Sequence, residues 1–247
     1  GLDPDAAEIG EVGGCGLSLT TLEDLRQALE GIDLNGKSLF IQSGAAGVAI
    51  LGMVKAYCAE RGIQLTNLEG NLGSDPLGYW ARFGQLTVSH SEAMEETAHV
   101  VRELTESGCA MGGVYVDGNI YHNAGSSAVQ ELGFALAAGN HYLRELADRG
   151  LAADTVAKSM RFGFGVGSHY FLEIAKLRAA RMLWARILGA WGASFEDLPM
   201  HIHARTSIWN KTRVDPYVNM LRVTSEAFSA VIGGCDSMHV GPFDEIV

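Results

Sequence analysis

Met160-Arg-Phe-Gly-Phe-Gly-Val-Gly-Ser-His-Tyr-Phe-Leu-Glu-Ile-Ala-Lys-Leu-Arg-Ala-Ala-Arg-Met-Leu-Trp-Ala-Arg-Ile-Leu-Gly-Ala-Trp191 changes its pattern once, at the glycines. The first eight residues are a short apolar run. From Ser168 onward, Phe171, Ile174, Ala175, Met182, Ile187 and Trp191 recur at helical spacing, with Glu173, Lys176 and Arg181 between them. Ser168 has the side chain of a helix cap. The stretch reads as strand, glycine turn and helix, which is one β/α unit. Gly163-x-Gly165-x-Gly167 lacks the GxGxxG spacing of a dinucleotide fingerprint, and no strand ending in an acid follows about 20 residues on. The glycines read instead as a tight turn and a close approach at the mouth of a strand.

The same alternation extends in both directions. Strands are predicted near residues 15–20, 38–43, 66–72, 110–117, 159–166, 200–206 and 236–240. Thr20-x-x-Glu23, Ser89-x-x-Glu92 and Ser127-x-x-Gln130 each read as a capping box that opens a helix. Gly31, Gly62, Gly108 and Gly150 mark helix ends, and Pro76 and Pro216 mark starts. Residues 1–14 read as loop. Strands that alternate with helices imply parallel βαβ units. The 247 residues suit one large domain, and a (β/α)8 barrel is the natural closure.

Composition narrows the function. Net charge is −11 with no basic cluster, which argues against nucleic acid. Cys15, Cys58, Cys109 and Cys235 lie far apart without CxxC pairing, so no zinc site is expected and a reducing cytoplasm is. No apolar run reaches about 18 residues, so no membrane helix is expected, and the acidic, glycine-rich start is unlike a signal peptide.

Two places draw attention as chemistry. In Met200 to Arg205, His201, His203 and Arg205 fall on one face and Met200, Ile202 and Ala204 on the other. In a barrel the apolar face meets the helices, so the two histidines and the arginine point inward. Two imidazoles at this spacing can hold a metal, but no third ligand accompanies them; an interior hydrogen-bonded layer is the plainer reading. Asp117-Gly-Asn-Ile-Tyr-His-Asn-Ala-Gly125 ends a strand, where such barrels keep their chemistry.

Three blocks carry a family resemblance. They are Phe164-Gly-x-Gly-Ser-x-Tyr-Phe-x-Glu-Ile-Ala-Lys-x-Arg-Ala-Ala-Arg-Met-Leu-Trp-Ala185; Arg205-Thr-Ser-Ile-Trp-Asn-Lys-Thr212 with Asp215-Pro-Tyr-Val-Asn-Met-Leu-Arg222; and Gly233-Gly-Cys-Asp-Ser-Met-His239 with Pro242-Phe-Asp-Glu245. Together they resemble the substrate barrel of the adenosylcobalamin-dependent methylmalonyl-CoA mutase family over nearly the whole chain. The resemblance implies a TIM-type (β/α)8 parallel barrel that lacks its first strand here, residues 1–247 forming one partial barrel domain. Nothing matches the family's cobalamin-binding domain or its Asp-x-His-x-x-Gly motif.

The resemblance also implies roles. Catalytic chains carry Gly-Tyr-His-Met-Gln-Glu-Ala-Gly where this chain has Gly118 to Gly125, which sets Ile120 at the position of the histidine that bonds the thioester carbonyl. Asn119 stands at the tyrosine position, and His122 comes two residues late. Asp75 is kept, but Gly73 replaces a glutamine and Phe83 the arginine that clamps the substrate carboxylate. Arg82 is adjacent, turned by about 100° on a helix. In His203-Ala-Arg205-Thr-Ser-Ile208-Trp209, Arg205 replaces a neutral glutamine. The catalytic candidates are therefore His122, His203 and Arg205, and the substrate-binding candidates Asp75, Asn123, Thr206 and Ser207.

Departures confined to such positions resemble the family's small, non-catalytic subunit. That implies a catalytic large subunit as partner, adenosylcobalamin in the assembled enzyme and none on this chain, and self-association through the gap left by missing strands. The competing readings are an active acyl-CoA mutase on another acyl group, with His122 or Arg205 polarising the carbonyl, and an unrelated barrel lyase or isomerase using His201, His203 and Arg205. Phe40, Phe162 and Phe164 are bulky enough to fill a pantetheine path; the strand pattern leaves open whether Phe162 and Phe164 face inward or onto helices.

Overall fold

The computed structural model describes residues 16–193 and 198–246. Six strands form one sheet: β1 (Ser38–Phe40), β2 (Glu69–Ser74), β3 (Gly112–Asp117), β4 (Met160–Val166), β5 (His201–Thr206) and β6 (Ser237–His239). All neighbours are parallel and the order in the sheet is the order in the chain. Sequential order means that every crossover runs the same way, so the helices stack on one face; a doubly wound sheet would reverse its order. Helix α1 (Leu22–Ala28) precedes β1, and α2 (Gly47–Arg61) follows it. Between β2 and β3 lie α3 (Pro76–Phe83) and α4 (His90–Glu106). Between β3 and β4 lie α5 (Asn119–Asn123), α6 (Ala128–Ala147) and α7 (Ala153–Lys158). Helices α8 (Tyr170–Ala190) and α9 (Val218–Gly233) make the last two crossovers.

The sheet is a half-barrel. The rings of Phe40 on β1 and His203 on β5 stack with centroids 4.1 Å apart. Four steps across a flat sheet would separate those strands by about 19 Å, so the sheet must curl until its concave face meets itself. Two expectations are corrected here. The architecture is a six-stranded half-barrel among the described residues, not an eight-stranded barrel lacking one strand. No strand forms over residues 16–20, and Cys15 lies outside the described residues, as does the expected loop 1–14. Leu17 is 74% exposed, and the backbone amides of Thr20 and Thr21 are drawn onto the Asp24 carboxylate at 3.0 and 2.8 Å. Its last amides cap α1, so the Thr20 and Thr21 donors are not available to a ladder.

The core lies between the sheet and its helices. Val114, Val116, Met160, Phe162 and Phe164 pack against Tyr142, Leu143, Leu146, Leu177, Trp184 and Leu188. A second cluster joins Leu25, Ile50, Val54, Leu68, Leu72, Val100 and Leu104. Phe162 meets Trp184 edge-on at 4.8 Å. Both phenylalanines of β4 therefore face helices, which leaves only Phe40 of the three on the concave side. Residues on β5 alternate as expected: Ile202 and Ala204 are buried toward the helices, while His201, His203 and Arg205 are half-buried on the other face.

Candidate functional site at the carboxyl ends of the strands

His122 sits on α5, one turn past the end of β3, and is buried. Its Nε2 lies 2.8 Å from Ser207 Oγ, just past β5. Its Nδ1 lies 3.5 Å from Glu131 Oε2 on α6. The backbone N–H of Trp209 donates to Ser207 Oγ at 3.1 Å, and the same hydroxyl, with one proton and a second lone pair, can donate to or accept from Nε2 according to the imidazole tautomer.

The reason for this cluster is the early end of β3. Its ladder with β4 stops at Asp117 opposite Gly163, and the Gly118 N–H makes a last bond to Gly163 O at 2.9 Å. Beyond that point the edge of β4 has no strand beside it. Glu131 accepts from the Gly165 N–H at 2.7 Å, and Lys176 Nζ donates to Gly165 O at 2.6 Å. Two side chains on helices thus stand in for the missing strand. Lys176 also pairs with Glu131 and Glu173, each at 2.6 Å, and all three are buried. A Cβ on Gly165 would lie 2.4 Å from the His122 ring. Close approach, as expected of these glycines, is their role, and the approaching group is His122.

The remaining candidates separate. Asp75 caps α3 and accepts from Gly78 N at 2.9 Å, Asp117 N at 2.9 Å and the Tyr142 hydroxyl at 2.6 Å. It is buried, and burial raises its pKa. Its oxygens serve the scaffold. Asp117 accepts from Gln42 Nε2 at 2.8 Å; burial, then the nearby Asp75 charge, push its pKa up to about 6. Thr206 Oγ1 accepts from Gly241 N at 2.8 Å, and Asn123 is half-buried with an Oδ1 that has no hydrogen-bond partner. Arg205 is tied to Glu245 at 2.7 Å. His203 Nδ1 lies 2.8 Å from Ser237 Oγ on β6, and burial lowers its pKa to about 4. His201, His203 and Arg205 share the concave face; His203 bonds to Ser237 and Arg205 to Glu245, not to one another. Among the described residues no set of three or more metal-ligating side chains converges.

Ile120 is half-buried on α5. Phe83 is 54% exposed at the end of α3, beside Tyr79 and under the Arg82 guanidinium at 5.2 Å. Sequence reasoning missed Glu131, Lys176, Asp117 and Glu245. A signal existed for Lys176: with Glu173, three residues earlier, it is a charged residue on the face of α8 that carries Leu177 and Ala180.

The methylmalonyl-CoA mutase family model matches residues 1–247. The small subunit of methylmalonyl-CoA mutase from Streptomyces virginiae is 39% identical over 234 residues, covering 94% of this chain and 36% of that protein. The small subunit from Porphyromonas gingivalis is 38% identical over 200 residues, covering 79% of this chain and 31% of its own length. The large subunit from the same organism is 30% identical over 249 residues, covering 100% of this chain and 35% of its own length. The chain thus spans about a third of the length of the curated relatives it matches. A match to the family model from one end to the other, joined to a singly wound β/α half-barrel, means that this chain belongs to the methylmalonyl-CoA mutase family.

Proposed function

We propose that the chain is barrel substructure of a small, non-catalytic mutase subunit, which supports interconversion of methylmalonyl-CoA and succinyl-CoA by a catalytic large subunit in the cytoplasm. The observation that carries this reading is at α5. An apolar side chain, Ile120, holds the position matched to the carbonyl-bonding histidine. His122, the nearest alternative donor, is already held by Ser207 and Glu131. The identities agree: two small subunits share 39% and 38% with this chain, and a large subunit 30%.

The concave face supports it too. The rings of Phe40 and His203 stack across the concave face, which supports Phe40 as a residue that fills a pantetheine path, and Arg205 is engaged by Glu245. In this reading adenosylcobalamin belongs to the catalytic partner chain. In the assembled enzyme the cofactor would supply the radical, bound by the partner.

The test is turnover. The full chain with methylmalonyl-CoA and adenosylcobalamin should form no succinyl-CoA, and activity should appear with a larger, cobalamin-binding chain that co-purifies with it. Turnover by the chain alone would replace this reading with that of an active mutase.

A further inference from the structure

Outside the mouth, two imidazoles meet on the outer surface. His90 opens α4 and His141 lies on α6. Their Nε2 atoms are 3.3 Å apart, with ring centroids at 5.4 Å and planes inclined by 58°. Two imidazoles on one tetrahedral zinc, with bonds of about 2.0–2.1 Å, hold their nitrogens about 3.3–3.4 Å apart. The two side chains therefore already have the span of a shared ion. We propose that His90 and His141 form a two-histidine clasp for a borderline divalent cation of the zinc or nickel class, bridging α4 to α6.

The surroundings set its strength. Glu145, one turn along α6, brings Oε1 within 3.8 Å of His141 Nε2 and pairs its other oxygen with Arg149 at 2.9 Å. It lends negative charge and is committed elsewhere as a ligand. With two protein ligands, solvent completes the shell, so the site is exchangeable where a closed four-ligand site is not. Arg144 donates to His141 Nδ1 at 2.8 Å. An arginine can only donate, so without metal the proton of His141 sits on Nε2 and points at His90. Binding moves that proton to Nδ1 and displaces Arg144, which is exposed and free to swing out. Nearby Arg144 and Arg149 weaken the site but do not occupy it.

Trp80 provides the readout, because its ring lies 6.1 Å from that of His90. The full chain is titrated with Zn²⁺ and with Ni²⁺ at pH 7.5. The expected results are saturable uptake at this pair, a rise in Tm with Zn²⁺, and quenching of Trp80 emission by Ni²⁺ that vanishes in Trp80→Phe. His90→Ala and His141→Ala should each weaken binding at least tenfold. His90→Gln, which keeps a polar side chain beside the Ser89 cap, should weaken it equally and so separates ligation from folding. No saturable uptake, or uptake and quenching unchanged in the histidine variants, would show that the pair is only a hydrogen bond between neutral rings.

Discussion

Gly165 shows how one missing Cβ places a cluster. The His122 ring lies against its Cα, and a Cβ there would come within 2.4 Å of that ring. Gly165→Ala should therefore destabilise by about 1–3 kcal/mol through overpacking. Gly189 in α8 has nothing within 4 Å of the same position. Gly189→Ala should stabilise by about 0.5–1 kcal/mol, because alanine is the better helix former. Opposite signs from one chemical change, read by urea unfolding, check the packing at the mouth. His203 is the residue to titrate. Its folded pKa of about 4 lies below the unfolded value of about 6.5, so the unfolded chain binds the extra proton between those values. Stability should fall as pH drops from about 6.5 to about 4. Asp117, raised to about 6, acts with the other sign, because its folded form holds the proton longer. His203→Phe should therefore flatten the acid loss, measured as unfolding midpoints across this range. An equal pH dependence in parent and variant would contradict the buried, neutral His203.

At the scale of elements, β3, β4 and β5 were legible to within two residues, because apolar runs in β3 and β4 and a clean polar–apolar alternation in β5 lie between turn signals. The outer strands were less so. β1 and β6 are three residues each, since each has a strand on one side only. The capping boxes at Ser89 and Ser127 formed as spaced, but the first shifted by one residue, from Thr20 and Glu23 to Thr21 and Asp24. α8 starts at Tyr170 with His169 as its cap and no side-chain bond, so Ser168 does not cap it. The buried charges were not legible, since an apolar stripe predicts burial and gives no reason for a lysine within it. That reason is tertiary: Lys176 and Glu131 complete the edge of β4 where β3 stops. Lys176→Met should leave two buried carboxylates uncompensated and cost about 3–5 kcal/mol. Combining it with Glu131→Gln and Glu173→Gln should recover part of the loss. A single variant as stable as the parent in denaturant titration would remove this account of the cluster.

The described residues present the open side of a half-barrel. Among the described residues, β1 and β6 each have a strand on one side only, and α9 exposes Tyr217, Leu221, Phe228, Val231 and Ile232 in one outer stripe. Free strand edges and apolar patches recruit other chains, so sedimentation should show concentration-dependent self-association; a monodisperse monomer at all concentrations would contradict it. The single winding was legible in the alternation of strand and helix, while closure toward eight strands was an expectation from chain length and from the family resemblance, and the described residues form six. The proposed loss of catalysis concerns how a substrate would be held. In the proposed reading a thioester oxygen would lack its donor at Ile120 and a carboxylate its clamp at Phe83, and the rings of Phe40 and His203 stack across the concave face. Each lost charge-assisted bond is worth about 1.5–3 kcal/mol. The measurement is a calorimetric titration of the full chain with methylmalonyl-CoA, followed by the NMR signals of His122 and His203. The account predicts no saturable heat and unmoved histidines; micromolar binding that shifts His122 would contradict it.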